Sequence, residues 1–407
     1  MMFDELPVDA GCRSTWTGPL TYADPTNFPS VDTASLASVG AGIGAVLEGP
    51  FAWRQYLRYA PEFVDDPDGC GLFKNLGASV YTSSPCFVAV ADDAALVGYR
   101  TIVAGGHFFN DEVYKRDELE VYLNGLSKSD SFWNEDTRLR RQVGSDIFHL
   151  EQSGQPWRRY EGAAVILASQ EPSNYGSFLF RVLPKVHALK RYGLANLPVV
   201  CWDIKPATSH LLEIAGIDPG KIIFQNTQTI SVFDRVIIPS LRNRNALLDY
   251  ESRDIYRQIR HEYGSPEGGK RLYISRFSHS RRGASGRVMA NEEELIARLS
   301  AIGFEIVEPE KLLVQQQIAL FSSAEIVVGP SGAGMFNIVF CQPGTKVIDI
   351  ESEPHWIYAH AGLFASCELR YGIFVGQVDE TDERTTHRRW NVNVNVLIDR
   401  VQSFLRA

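Results

Sequence analysis

The sequence lacks the marks of several protein classes. Its six cysteines lie far apart, without a Cys-x-x-Cys pair, which gives neither a zinc-site spacing nor a disulfide framework. No apolar run approaches the ~18 residues of a membrane-spanning helix. The start MMFDELPVDAGCRS has neither the basic region nor the apolar core of a signal peptide. These absences predict free thiols and a cytoplasmic protein, at most peripheral at the inner face of the membrane.

The balance of charge excludes two further classes of partner. The chain carries 40 Lys and Arg against 49 Asp and Glu, a formal net charge of −9. Coating a nucleic acid or a bare anionic membrane requires a basic surface, so we expect neither partner. A small anion can still bind where a few cations gather locally. The length of 407 residues and the hydrophobic content of 44% predict a globular protein of two to three domains.

The first part of the chain has little regular patterning. Roughly the first 80 residues are rich in Gly, Pro, Ser and Asp and predict irregular structure with a few strands. Short apolar runs between Cys86 and Tyr114, broken by Asp-Asp and Gly-Gly, predict a small meander of strands. Residues 115–150 are charged and predict one or two surface helices.

Strand and helix patterns alternate from about residue 160 onward. The runs GAAVILAS, LPVVCWD, KIIFQN and DRVIIPS predict buried strands. A polar helix and a Gly-Pro-Lys stretch occupy 250–270, and the alternation then restarts with RLYISR, FEIVEP, EIVVGP and TKVIDIES. Such alternation predicts parallel, doubly wound sheets. We therefore expect an α/β protein with domains at 1–260 and 261–407, the first comprising an irregular, strand-containing part at 1–115 and a Rossmann-like part at 160–250.

The turn GPSGAGMFN follows the apolar strand EIVV and opens a helix. Small residues at Gly332, Ala333 and Gly334 let an anion approach the backbone, where free N–H groups and the helix dipole favour negative charge. The full glycine spacing of a dinucleotide fingerprint and the Lys-Ser/Thr of a Walker loop are missing. A tight turn that uses glycine only for packing is the alternative.

A basic loop follows the strand RLYISR. It gathers five basic or titratable side chains within twelve positions: Arg276, His279, Arg281, Arg282 and Arg287. A loop at the carboxyl end of a strand can face the glycine turn across the edge where ligands bind in open α/β sheets. Arginine guanidinium groups match diphosphate oxygens. The alternative is that the loop is merely solvated. The glycine turn on a neighbouring strand favours anion binding over this alternative.

Two acidic residues end the next strand at the same edge. The Asp349 carboxylate can accept hydrogen bonds from a ribose or sugar hydroxyl, and Asp349 with Glu351 could also hold a divalent cation. Alternation along a strand places both side chains on one face without any ligand purpose. We therefore predict no metal site and no cofactor.

The segment EPSNYGSFLFRVLPKVHALK follows the strand GAAVILAS in the first α/β unit. Asn174, Ser177 and Arg181 lie around the start of its predicted helix and could form the opposing wall of a cleft. His187 lies further along the same helix, where a satisfied surface or core histidine is the simpler interpretation. We expect Lys185 on a solvated face of this helix.

Taken in order, these motifs resemble glycosyltransferase family 61. The resemblance spans roughly residues 85–375 and rests on NYGSFLFRVLPK, YISR with NEEEL, GFEIVEPEKL, and VVGPSGAGMFNIVFCQPGTKVIDI. It implies a GT-B fold, in which two Rossmann-like domains face a cleft and the C-terminal domain holds the nucleotide sugar. It also implies an inverting, metal-independent hexosyl- or pentosyltransferase. By position, the donor side would comprise Arg276, Arg287, Asn291, Ser331, Gly332, Ala333, Gly334, Asn337 and Asp349. The N-terminal domain would form the acceptor side, with Asn174, Ser177 and Arg181.

Three departures from the family pattern bear on the catalytic base. The family usually has histidine where this chain has Ser177, an acidic residue at Arg181, and histidine at Ser331. Inverting transfer needs a base to deprotonate the acceptor hydroxyl, and neither serine nor arginine supplies one unaided. We predict Glu171, Asp234 or His187 as the base, with Asp203 and His279 also available. Arg181 could instead bind an anionic acceptor.

Two functions remain open at this stage. One is transfer of a sugar from a nucleotide-diphosphate donor to a glycan or lipid-linked acceptor during synthesis of a capsule, lipopolysaccharide or similar surface polysaccharide. The alternative is a catalytically impaired relative that acts as a nucleotide- or glycan-binding subunit. Another sugar-modifying enzyme, such as a pyruvyl- or phosphotransferase, has no motif of its own here. A homodimer is left open.

Overall fold

A computed structural model describes most of the chain in two compact units. The described residues are 6–7, 14–40, 42–48, 54–66, 76–126, 138–151, 154, 156–172, 174–202, 206–244, 246–278, 288–352, 357–384 and 388–407. The first unit comprises Met1–Arg54 with Ser83–Arg242, and the second comprises Gln55–Thr82 with Asn243–Ala407. The chain is therefore a mixed α/β protein.

The first unit is built on a ten-stranded mixed sheet. Four parallel neighbours form one half in the order Ile222–Gln225, Val199–Trp202, Trp157–Ile166 and Ile230–Pro239. The antiparallel meander Cys86–Val97, Thr101–Ala104 and His107–Phe109 continues the sheet from the last of these. Three shorter strands join this sheet: Thr21–Tyr22 beside His107–Phe109, Leu6–Pro7 beside Trp157–Ile166, and Gly44–Glu48 beside Cys86–Val97. The meander thus covers the edge that an open parallel sheet would leave unpaired.

Helices and short elements cover this sheet. The α-helices are Ser14–Thr17, Arg116–Gly125, Tyr175–Ser177, Lys185–Arg191 and Pro206–Ile214. A π-helical turn spans Phe178–Val182, and short 3₁₀ turns span Pro25–Asn27, Thr33–Ser35 and Pro219–Lys221. A separate hairpin pairs Leu139–Arg141 with Phe148–Leu150. Apolar side chains of the central strands are almost completely buried, as the long apolar runs require.

The second unit is built on a six-stranded sheet in which every pairing is parallel. The order is Glu305–Val307, Lys270–Ile274, Ala324–Pro330, Lys346–Glu351, Arg370–Val375 and Phe63–Asp65. The α-helices are Asp254–Tyr263, Glu292–Ala301, Val314–Ser322, Ile357–Ser366 and Val394–Arg406. The 3₁₀ turns are Glu251–Arg253, Pro309–Lys311 and Ala333–Phe340. Short strand pairs are Arg54–Arg58 with Ser79–Ser83, Asn243–Arg244 with Leu247–Leu248, and Gln377–Val378 with Trp390–Asn391.

The strand and helix alternation predicted after residue 160 is confirmed in both units. Around 115–150 the described residues contain one helix and a hairpin, where the charge pattern predicted only helices. Residues 55–82 group with the second unit, whereas the sequence placed them in the N-terminal domain. Phe63–Asp65 pairs with Arg370–Val375, and Glu62 forms an ion pair with Arg370. The acceptor-side and donor-side roles of the domains stay predictions.

Among the described ranges, no helix is at once long enough and apolar enough to cross a membrane.

Candidate functional site

The glycine turn lies at the carboxyl edge of the second unit's sheet. Strand Ala324–Pro330 ends there, and Gly332 precedes the 3₁₀ helix Ala333–Phe340 with a φ of 152° that favours glycine. A Cβ at Gly329 would lie 2.8 Å from the Met335 sulfur, so this position needs glycine for packing. Within the described part of the chain, the N–H groups of Ala333 and Gly334 meet no acceptor. Such N–H groups at a helix start favour an anion.

Arg276 reaches this turn from the neighbouring strand Lys270–Ile274. Its guanidinium Nη1 donates to the Ser331 carbonyl at 3.0 Å. A Cβ at Gly332 would lie only 2.7 Å from the same Nη1. The structure therefore brings Arg276, Ser331 and Gly332 together as predicted from the sequence motifs.

A buried glutamate that the sequence analysis missed fixes the loop of Arg276. Glu292 Oε1 accepts from the Arg276 backbone N–H at 2.8 Å, the Ser275 hydroxyl at 2.9 Å and the Tyr273 hydroxyl at 3.3 Å. Burial raises the pKa of Glu292, although these hydrogen bonds oppose the rise. Glu292 is the first glutamate of the NEEEL motif and the first residue of helix Glu292–Ala301, so its position at a helix start was the available signal.

Asp349 belongs to a buried cluster with Glu351, His360 and Ser331. His360 Nδ1 lies 2.7 Å from Asp349 Oδ2, 3.3 Å from the Ser331 hydroxyl oxygen and 3.4 Å from Glu351 Oε1. Burial, followed by the charge of Asp349, raises the pKa of Glu351 to about 8. The sequence analysis missed His360. Its position eleven residues after an Asp-x-Glu strand end, at the start of the next helix, was the only signal.

The same cluster could hold a metal ion. One ligand atom each from Asp349, Glu351 and His360 lie within 4.8 Å of one another. Two carboxylates and an imidazole suit a divalent transition metal better than Ca²⁺ or Mg²⁺. His360 Nδ1 hydrogen-bonds one oxygen of Asp349, Oδ2. The other oxygen, Oδ1, is buried without a hydrogen-bond partner among the described residues. The predictions of no metal and no cofactor stay predictions.

Two residues predicted on the donor side are bound within the fold. Asn337 is buried, and its Nδ2 donates to Gln317 Oε1 at 2.9 Å. Asn291 makes a two-way bridge with the Val392 backbone, donating at 2.7 Å and accepting at 3.1 Å. Both amides thus hold neighbouring segments together. Their role toward a donor stays a prediction.

The predicted acceptor-side residues gather at the start of a helix in the first unit. The Asn174 side chain accepts from the N–H groups of Gly176 and Ser177 and caps this helix. The Ser177 hydroxyl donates to the Gln170 carbonyl at 3.2 Å, and Arg181 Nη1 donates to Gln170 Oε1 at 2.6 Å. Two of the three departures, Ser177 and Arg181, therefore share one partner, Gln170, which the sequence analysis did not single out.

A buried ion network lies beneath this helix. Asp111 accepts from Lys185 Nζ at 2.6 Å and forms an ion pair with Arg100 at 2.7 Å. Burial alone would raise the pKa of Asp111, but the charges of Lys185 and Arg100 outweigh it and lower the pKa to about 2. Lys185 Nζ also donates to the Ala168 carbonyl at 2.8 Å. The motif lysine thus anchors the helix to the sheet, where the sequence suggested a solvated helix face.

The three predicted bases differ in their surroundings. Asp234 lies at a bulge of the sheet, and its two oxygens accept from Arg159 at 2.7 Å and from the Gly162 N–H at 2.8 Å. Its carboxylate therefore has a structural role within the first unit. His187 is half-buried on helix Lys185–Arg191.

Glu171 differs from the other two bases in its backbone. It follows strand Trp157–Ile166 with a φ of 51°, a left-handed conformation that is uncommon for a residue other than glycine. Its carboxylate has no hydrogen-bond or ion-pair partner among the described residues. Backbone strain of this kind concentrates at functional sites.

Part of the predicted basic loop lies beyond the described ranges. Arg287, with His279, Arg281 and Arg282 of the same loop, is outside the described residues, as is Asp203.

Comparison with known proteins identifies one family. The model of Glycosyltransferase 61 matches residues 175–348, from the helix capped by Asn174 to the strand that carries Asp349. The resemblance drawn from the motifs is confirmed over this range. The family implies glycosyltransferase activity in general. No curated relative matches the chain.

Proposed function

We propose that this relative of glycosyltransferase 61 transfers a hexose or pentose from a nucleotide-diphosphate sugar to a glycan or lipid-linked acceptor. The acceptor would belong to a surface polysaccharide such as a capsule or lipopolysaccharide. In this proposal the two units form a GT-B arrangement with the donor on the second unit. The protein would act in the cytoplasm or at the inner face of the membrane.

The observation that carries the proposal is the approach of Arg276 to the glycine turn. A guanidinium that donates to the Ser331 carbonyl and lies against the Cα of Gly332 stands beside two N–H groups that meet no acceptor among the described residues. The Arg276 guanidinium and the N–H groups at the start of helix Ala333–Phe340 favour the same ligand, a diphosphate. As the glycosidic bond to the donor breaks, negative charge develops on the leaving diphosphate, and these fixed donors would stabilise it without a metal.

Glu171 is our choice among the three predicted bases. Asp234 is held by Arg159 and Gly162, whereas the Glu171 carboxylate has no partner among the described residues. In an inverting reaction the acceptor hydroxyl oxygen attacks the anomeric carbon while the base takes its proton. Glu171→Gln removes the base and keeps the shape, so it should lower kcat with little change in donor affinity.

His360 supplies an imidazole where the family motif has lost one. The family usually has histidine at the position of Ser331, and here the His360 ring lies 3.3 Å from the Ser331 hydroxyl oxygen. Asp349 holds the ring through Nδ1. We assign His360 to positioning the glycine turn from the adjacent helix.

Calorimetric titration with UDP, GDP, ADP and dTDP tests the donor side. We expect at least one to bind, and Arg276→Gln to weaken that binding about tenfold or more. Arg271→Gln is the matched control, since Arg271 is a half-exposed arginine in the strand that precedes Arg276 and is paired with Glu325. Binding of none of the four nucleotides would overturn the proposal.

A transfer assay with the corresponding nucleotide sugars separates the two functions that the sequence left open. Turnover that survives EDTA supports a metal-independent transferase. Nucleotide binding without turnover for any sugar donor would favour the catalytically impaired relative. The contacts that motivate this alternative are those of Ser177 and Arg181 with Gln170, at positions where the family usually has histidine and an acidic residue.

A further inference from the structure

A cavity of about 140 Å³ opens at the other edge of the second unit's sheet, away from the glycine turn. It lies where the chain enters strands Lys346–Glu351 and Arg370–Val375, between helices Asp254–Tyr263 and Ile357–Ser366. A void needs only about 10–15 Å³ to hold one water molecule. The cavity therefore has room for a small ligand with its waters.

Three guanidinium groups line this cavity: those of Arg253, Arg257 and Arg260. The only carboxylate among the lining residues belongs to Glu368, which is 61% exposed and lies 3.6 Å from Arg253. Arg257 is exposed and forms an ion pair with Asp254. The lining thus carries more positive than negative charge in a chain whose total is −9.

Arg260 is the central group of this cavity. It is half-buried, and its Nη1 donates to the Cys341 carbonyl at 2.8 Å. Within the described part of the chain no carboxylate forms an ion pair with it. Burial lowers the pKa of Arg260, as expected for a cation that lacks a compensating anion. Keeping a guanidinium partly dehydrated without an anion is costly.

Neutral groups complete the lining. Burial raises the pKa of Cys367 to about 12, and it raises that of Cys341 further, so both thiols stay protonated at neutral pH and do not compensate the arginines. Tyr250, 63% exposed, lies over Arg253 at 4.4 Å from ring centroid to guanidinium carbon. An aromatic rim above cationic donors suits a ligand with a charged head and a less polar remainder.

We propose that this cavity binds a phosphoryl group, with Arg260 and Arg253 as its principal donors. Guanidinium forks match the oxygens of a tetrahedral phosphate, and the cavity accommodates the head group rather than a whole nucleotide. The group could be free phosphate, a sugar phosphate or a lipid headgroup. This site is independent of the donor side and of the proposed transfer reaction.

Calorimetry at constant ionic strength with inorganic phosphate, glucose 1-phosphate and vesicles containing phosphatidic acid tests the site. We expect at least one probe to bind, and Arg260→Gln to weaken it about tenfold or more. Arg253→Gln should act in the same direction. The thermal midpoint of each variant without probe shows whether it is folded. Preference for the vesicles identifies a lipid headgroup, and preference for either soluble probe identifies a small phosphate.

Arg276→Gln is the control that separates this cavity from the donor side. It should leave binding of the probes unchanged and weaken only nucleotide diphosphates. Any of three results would overturn the proposal. These are loss of probe binding in Arg276→Gln, unchanged probe binding in folded Arg260→Gln and Arg253→Gln, and binding of none of the probes.

Discussion

His360 Nδ1 lies 2.7 Å from Asp349 Oδ2, and both side chains are almost completely buried. This pair joins helix Ile357–Ser366 to the carboxyl end of strand Lys346–Glu351, beside the glycine turn. A buried carboxylate that loses its hydrogen-bond donor keeps the full cost of dehydration. The pair is therefore both a structural bond and the support of the proposed donor site.

His360→Ala should lower the free energy of unfolding by roughly 3 kcal/mol, because it leaves Asp349 buried without this partner. His360→Asn places an amide N–H near the position of Nδ1 and should recover much of that loss. Urea denaturation of both variants measures the difference. Equal stability of the Asn and Ala variants would show that the hydrogen bond to Asp349 contributes little.

Glu351→Gln should flatten the dependence of stability on pH. Burial and the Asp349 charge raise the pKa of Glu351 to about 8, so the folded protein holds a proton that the unfolded chain releases above about pH 4.5. Stability from this group is therefore full below about 4.5 and lost as pH rises toward about 8.

Thermal midpoints from pH 5 to pH 9 test this direction. The thermal midpoint of Glu351→Gln should rise relative to that of the wild type as pH increases. The control Glu325→Gln, which replaces a half-exposed glutamate paired with Arg271, should show no such rise. If the thermal midpoints of the wild type and both variants rise in parallel between pH 5 and pH 8, Glu351 does not lose stabilising free energy with rising pH as expected.

The sequence predicted the parts of this site that depend on local pattern. Strand ends and turn glycines are local features, so the motifs alone were enough to place Arg276, Ser331 and Gly332 at one sheet edge. Glu292 and His360 were missed because each contacts a residue of another structural element. Glu292 accepts a hydrogen bond from Arg276, 16 residues away, and His360 contacts Ser331, 29 residues away. No periodicity records such a contact.

The division into units shows the same limit. Phe63–Asp65 lies in a stretch without periodicity, yet it forms the edge strand beside Arg370–Val375, some 300 residues later. Lys185 was expected on a solvated helix face because lysine is seldom buried. Its partner Asp111 is 74 residues away, so the ion pair that makes burial tolerable leaves no local signal.

Gly332→Ala should weaken nucleotide-diphosphate binding more than it lowers stability. The new Cβ would lie 2.7 Å from Arg276 Nη1, and this flexible side chain can move away only by leaving the Ser331 carbonyl. The backbone conformation at Gly332 adds strain of about 1–3 kcal/mol.

Gly303→Ala is the control for that strain, since Gly303 has a φ of 87° with open space around its Cα. Calorimetry and urea denaturation of both variants distinguish the two effects. Unchanged nucleotide affinity in a folded Gly332→Ala protein would mean that the turn does not hold the diphosphate.

Lys185→Met should destabilise the first unit by about 3 kcal/mol. The substitution keeps the length of the side chain but removes the ammonium group from the Asp111 carboxylate and the Ala168 carbonyl, both buried. Lys190→Met, on the exposed face of the same helix, should stay within about 0.5 kcal/mol of the wild type. Urea denaturation measures both. If Lys185→Met keeps wild-type stability but loses sugar transfer, then this motif lysine contacts a substrate. Its role would then not be to stabilise the buried ion network.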